Sequence, residues 1–108
     1  MSNIYAPAED SYFLSEIIKK NIKDIGIKIL DMGSGSGIQS EILIKNGIDP
    51  KNITLVDINN RAINSLKKKF SNCNILESNL FEKIKDKFDL IIFNPLFTFY
   101  FYSNRNTV

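Results

Sequence analysis

The residues best suited to chemistry in this sequence are carboxylates placed where apolar runs end. Asp31 closes the run Ile27-Lys28-Ile29-Leu30, and Gly33, Gly35 and Gly37 follow it at alternate positions. Glycines so spaced let a ligand approach the backbone closely, because each adopts a positive φ without steric cost, and the helix that follows points free amides at the same place. A dinucleotide turn requires Gly-x-Gly-x-x-Gly/Ala, and Ile38 occupies its sixth position here. A P-loop is excluded because no Gly-Lys-Ser/Thr follows. A carboxylate ahead of the glycines repels a phosphate but suits a ligand that carries an ammonium group.

Asp57 ends a second apolar run, Ile53-Thr54-Leu55-Val56. A carboxylate there can accept both hydroxyls of a ribose; its alternative role is to cap the turn before Ile58-Asn59-Asn60. After a third, weaker run (Asn74-Ile75-Leu76-Glu77) comes Asn79, whose amide oxygen can accept from the exocyclic amine of adenine or can be an ordinary loop asparagine. The form Asp31-x-Gly33-x-Gly35-x-Gly37 is the one used by S-adenosylmethionine enzymes, whose cofactor joins an amino acid to an adenosine. A fourth apolar run, Phe88 to Phe93, ends at Asn94-Pro95, either a turn or a reaction motif.

These groups need a scaffold that brings run ends together. Apolar runs alternate with helical patterns: residues 8–20 (Phe13, Leu14, Ile17, Ile18), 38–46 (Ile38, Ile42, Leu43) and 59–70 (Ala62, Ile63, Leu66, Phe70). Residues 80–87 are a charged connection too short for a helix. Connections longer than hairpins between successive strands predict a Rossmann-like α/β fold with a mostly parallel sheet of about four strands and right-handed crossovers.

Composition narrows the chemistry. The chain has 108 residues, no His, one Cys (Cys73), 14 Lys+Arg and 12 Asp+Glu, for a net charge of +2. That excludes His-dependent nucleophilic catalysis, a Cys-rich zinc site and an internal disulfide framework. The weak basicity does not by itself argue for nucleic acid, and Lys67-Lys68-Lys69 reads as a solvated helix face before it reads as a basic patch. No run reaches the roughly 20 apolar residues of a membrane span, and the N-terminus lacks a signal-peptide layout. A cytoplasmic, reducing setting with no membrane partner is the expectation.

Tyr5-Ala6-Pro7-Ala8-Glu9-Asp10-Ser11, Asp31 to Gly37 and Phe93-Asn94-Pro95 together resemble the HemK-type class I methyltransferases, in their archaeal and eukaryotic branch. Those enzymes use S-adenosylmethionine to methylate the side-chain amide of glutamine in peptide chain release factors. The resemblance runs from about Tyr5 to Pro95 and covers only about half of such an enzyme. It implies that Asp31, Gly33, Gly35, Gly37, Asp57 and Asn79 hold the cofactor, with Asp10 framing its methionine end or only decorating a helix start. The family motif is Asn-Pro-Pro-aromatic; here Asn94 and Pro95 match, Leu96 replaces the second proline and Phe97 holds the aromatic place. Asn94 and the Pro95 carbonyl would orient a planar NH2 group, and Phe97 would stack on it. The same motif serves exocyclic amines of nucleobases, so a nucleic-acid substrate is the runner-up. A small zinc-binding activator protein is a further partner that the resemblance permits.

Residues 1–96 therefore read as the cofactor-binding part of a methyltransferase domain, and residues 97–108 as an aromatic and polar tail outside the family pattern. That division leaves the fourth strand as an unpaired apolar edge, with a fifth strand formed by residues 97–102 as the rival outcome. A non-catalytic remnant that still binds cofactor is the reading from outside enzymology.

Overall fold

The computed structural model describes residues 15, 16, 18–20, 26–93 and 98–101. Asp10, Asn94, Pro95 and Phe97, and most of the helix expected over 8–20, lie outside the described residues; Ser15, Glu16 and Ile18 to Lys20 are helical as expected.

Five strands form one sheet: β1 (Ile29–Met32), β2 (Ile53–Asp57), β3 (Asn74–Glu77), β4 (Leu90–Phe93) and β5 (Thr98–Phe101), in the order β3-β2-β1-β4-β5. The first four are mutually parallel, whereas β5 runs antiparallel to β4 with Phe93 opposite Thr98. The expectation of an unpaired fourth strand is thereby corrected. Thr98 to Phe101 carries no charge or proline, so nothing in its sequence opposes the ladder hydrogen bonds that β4 offers along its open side.

The strands alternate faces, and the two faces are covered differently. Ile29, Ile53, Leu55, Leu90 and Ile92 pack under helices α1 (Ile38–Lys45) and α2 (Asn60–Lys69), which contribute Ile42, Leu43, Ile63 and Leu66. Leu30, Met32 and Val56 face the other way, against Phe88, Ile84 and Leu76. The helix ends are chemically specified. Asn59 caps α2 by accepting from the Arg61 and Ala62 amides at 2.8 and 3.2 Å, while Gly47, at φ 98°, follows the end of α1.

β4 begins at Leu90, two residues later than the apolar run begins. Phe88 is spent on the second core face, and Asp89 closes the start of the strand by accepting from the Lys28 amide at 2.9 Å. β1 sits at the centre, with β2 on one side and β4 on the other. Chain direction therefore diverges around the C-terminal end of β1, where open α/β sheets bind ligands.

Candidate active site

The first turn after β1 is built around Ser34. Its amide and that of Gly33 donate to the Val56 carbonyl at 2.9 and 2.8 Å, and the Val56 amide donates back to Ser34 Oγ at 3.1 Å. Ser34 thus continues the β1–β2 ladder past the point where the strand stops. The chain then bends through Gly33, Gly35 and Gly37, all at positive φ, before entering α1. Gly37, at φ 83°, lies under α2: a Cβ there would collide with the Phe70 ring and come within 2.9 Å of Leu66 Cδ2. Gly35, at φ 57°, has open space where its Cβ would be.

Asp31 is fully buried below this turn. Its Oδ2 accepts the Ser40 hydroxyl of α1 at 2.7 Å, and its backbone carbonyl accepts the Ser34 hydroxyl at 2.7 Å. Its Oδ1 is buried with no hydrogen-bond donor. Burial pushes the Asp31 carboxyl up to about 6, and the nearby Asp57 charge adds to the rise; the hydroxyls of Ser40 and Ser34 act against both. Ser40 and Ser34 were not picked out by the sequence. For Ser40 the signal is a hydroxyl in the first turn of the helix that follows a buried carboxylate, whereas Ser34 lies in the glycine turn before that helix.

Asp57 stands beside the same turn. Its Oδ2 accepts from the Gly35 amide at 2.9 Å and its Oδ1 from the Asn59 amide at 2.8 Å. The carboxylate therefore caps its own turn, as one of its two readings required, while holding the glycine loop against β2. Each oxygen retains a lone pair for a ligand hydroxyl. Asn79 is exposed and starts a turn whose Glu82 amide donates to the Asn79 carbonyl at 3.2 Å. Asp57 and Glu77 are register partners, so the ends of β2 and β3 are level.

Three large apolar side chains are exposed in this region: Ile58 (63%), Leu80 (53%) and Phe81 (47%). Ile58 follows β2 directly and Leu80 follows Asn79, giving a site otherwise made of carboxylates an apolar side, whereas Phe81, one residue further on, lies against Phe93. Sequence reading missed them because an apolar residue in a loop carries no periodic signal. Cys73, by contrast, is half-buried, and its thiol is pushed up to about 11 by burial and by the Asp31 charge, which makes it an inert packing residue. Among the described residues there is no group of three or more potential metal ligands, and no helix long and apolar enough to cross a membrane.

A central β1, a glycine turn over a buried carboxylate, and a second carboxylate on the neighbouring strand define a Rossmann-like fold of the class I methyltransferase kind. The comparisons agree. Residues 9–103 match the methyltransferase small domain, and the chain belongs to that family. It is 43% identical over 97 residues to a protein of Methanocaldococcus jannaschii whose name assigns it to N5-glutamine methylation, covering 85% of this chain and 46% of that one. The release factor glutamine methyltransferase of Fusobacterium nucleatum is 47% identical over 74 residues, covering 62% and 21%. Ribosomal RNA small subunit methyltransferase C of Buchnera aphidicola is 46% identical over 77 residues, covering 68% and 22%. Among solved structures, protein 1320 of Thermoplasma acidophilum superposes with a TM-score of 0.68 at 29% identity, covering 82% of this chain and 46% of that one. The chain thus spans about half the length of the first relative and about a fifth of the other two.

Proposed function

We propose that this chain is the cofactor-binding part of an S-adenosylmethionine-dependent methyltransferase acting on the side-chain amide of glutamine in a peptide chain release factor. The observation that carries the cofactor is the buried Asp31 Oδ1, an acceptor without a donor beneath a glycine turn that leaves Gly35 open. An ammonium group answers that need, and a phosphate does not.

In this reading Asp31 receives the ammonium of the cofactor, with Asp10 helping to frame the same end. The turn Gly33–Gly37 lies against its sulfur-bearing chain, Asp57 accepts the ribose hydroxyls, and Asn79 accepts from the adenine amine between the apolar side chains of Ile58 and Leu80. S-adenosylmethionine, when bound, supplies an electrophilic methyl group. The chain's own contribution is to orient the acceptor nitrogen. Phe93, the residue before Asn94, is the register partner of Met32, the residue before Gly33, so the chain leaves β4 level with the start of the glycine turn. From there Asn94 and the Pro95 carbonyl would accept the two N–H bonds of a planar amide, and Phe97 would stack on its face. Orientation and charge stabilisation of this kind need neither metal nor imidazole.

The name of the Methanocaldococcus jannaschii relative supports the glutamine amide, and that of the Fusobacterium nucleatum relative supports the release factor. A second reading, an exocyclic amine of ribosomal RNA, is favoured by the Buchnera aphidicola relative and by exposed Lys67, Lys68 and Lys69 on α2. A zinc-binding activator protein remains a proposed partner through the branch resemblance alone. As residues 1–96 are read as the cofactor part, a non-catalytic binding role is compatible with the same site. The test is calorimetry with S-adenosylmethionine and with NAD, followed by transfer of labelled methyl to release factor and to ribosomal RNA. Heat with NAD and none with S-adenosylmethionine overturns the cofactor. Label in RNA but not in release factor selects the second reading, and binding without transfer selects the non-catalytic one.

A further inference from the structure

We propose that Phe81 is a positioning residue for the C-terminal end of β4, acting through the ring of Phe93. This rests on the reading above only in taking the end of β4 as the place where the acceptor nitrogen is oriented.

Phe81 meets Phe93 edge-to-face, with ring centroids 6.4 Å apart and planes at 70°, within the range at which aromatic quadrupoles attract. Phe93 is the last residue of β4 and is itself only partly buried against the second core face. Its backbone is paired to Met32 on one side and Thr98 on the other. The ladder fixes the height of Phe93 but not the attitude of its side chain, and the Phe81 edge supplies that constraint.

The turn that carries Phe81 is held in an unfavourable shape. Leu80 has φ 54°, the left-handed region that an L side chain rarely adopts. Buried Ser78 pins the turn from within: its hydroxyl donates to the Leu80 carbonyl at 3.0 Å and accepts from the Lys83 amide at 3.1 Å. If burial were the purpose, Phe81 would be covered; instead it keeps 47% of its surface exposed while its backbone neighbour is strained. Strain held by a buried hydroxyl, and used to place one half-exposed ring against one other ring, is the pattern of a site-positioning device rather than of core packing. The inference also links the turn carrying Asn79 to the strand carrying the substrate motif.

The experiment measures aromatic C–H order parameters of the Phe93 ring in the cofactor-free chain, together with the S-adenosylmethionine dissociation constant. The Phe93 ring is expected to be ordered in the wild-type chain, with order parameters falling by about a third in F81A and returning in F81Y, which keeps the ring. The dissociation constant is expected to stay within about threefold in both, since Asp31 and Asp57 are untouched. If F81A loses its sheet, F81L keeps most of the volume without the ring and is read in the same way. Order parameters at wild-type level in F81A or F81L overturn the proposal. Because they are measured without cofactor, a chain that fails to bind S-adenosylmethionine overturns the proposed function and leaves this result standing or falling on its own.

Discussion

The Ser40 hydroxyl donates to Asp31 Oδ2 at 2.7 Å, joining the first turn of α1 to the end of β1 where Asp31 is fully buried. It is a specific way to keep a carboxylate buried: one oxygen is satisfied by the protein, and the other is left for a donor that the protein does not supply. The first three predictions follow from that asymmetry.

Stability should depend on the protonation of Asp31 with a definite sign. Its folded pKa of about 6 lies above the ordinary 3.8, so the folded state binds the proton more tightly than the unfolded state. The resulting stabilisation is complete below the lower value, declines as pH rises towards about 6 and is gone above it. The shift corresponds to about 3 kcal/mol at most. Denaturant melts of wild type and D31N between pH 3.5 and 8 (a span of roughly two units on either side of the midpoint) should differ in slope only within that window. A difference curve that rises with pH contradicts the burial account.

Removing the partner hydroxyl should extend the same window upwards. S40A removes the hydroxyl donor to Oδ2 while keeping the Ser40 backbone amide, so the charged form is disfavoured further and the apparent pKa should move above the wild-type value. The cost at neutral pH should be about 1–3 kcal/mol, the penalty for orphaning a buried acceptor. S40T retains the hydroxyl and should recover most of it. Equal melts for S40A and wild type at pH 7 would show that the contact contributes nothing.

Cofactor binding should release a proton near pH 6. An ammonium group placed against Oδ1 favours the ionised carboxylate, so the carboxyl that is partly protonated in the free chain must ionise on binding. Calorimetry at pH 6 in two buffers of different ionisation enthalpy should give heats that differ by about half a proton's worth, falling to none at pH 8. D31N should abolish the difference and weaken binding. Buffer-independent heats at pH 6 in the wild-type chain would place the ammonium elsewhere.

Much of this arrangement was legible in the sequence, and the reasons are particular. Asp31 and Asp57 each end a β-branched run, so strand length alone brings them to one edge of the sheet, and three glycines at alternate positions leave few conformations but a turn. Asn59 could be read as a cap because an asparagine before a helical pattern has few other uses. Ser34 was not legible, since a serine in a glycine-rich turn is unremarkable until the strand beside it is known, and Ser40 was not, since its carboxylate partner appears only once α1 is docked on β1. Nor was the fate of the last strand: Thr98 to Phe101 shows no polar alternation, and pattern cannot distinguish a strand that pairs with β4 from an unpacked tail. Ile58, Leu80 and Phe81 escaped because their role arises from where two loops meet, which is a property of topology and not of local sequence.

The two glycines that follow Ser34 should respond to the same substitution in opposite ways. Both have positive φ, so an alanine at either pays about 1–2 kcal/mol for the left-handed backbone. At Gly37 the added methyl must also displace the Phe70 ring and Leu66 Cδ2, which are held by the core between α2 and the sheet. Overpacking of that kind adds about 1–3 kcal/mol, so G37A should lose stability first and binding only as a consequence. At Gly35 the methyl meets no protein atom within 4 Å and costs only the backbone strain. It does, however, enter the open space that the proposed cofactor would occupy. G35A should therefore lose only that backbone strain in stability, less than G37A loses, while losing about tenfold or more in S-adenosylmethionine affinity. The collision at Gly37 has its own check. F70A removes the obstructing ring, so the cost of the G37A and F70A double variant should fall short of the summed single costs by at least about 1 kcal/mol. Additive costs would mean that Phe70 is free to move aside, leaving the conformation of the backbone as the sole reason for glycine at that position.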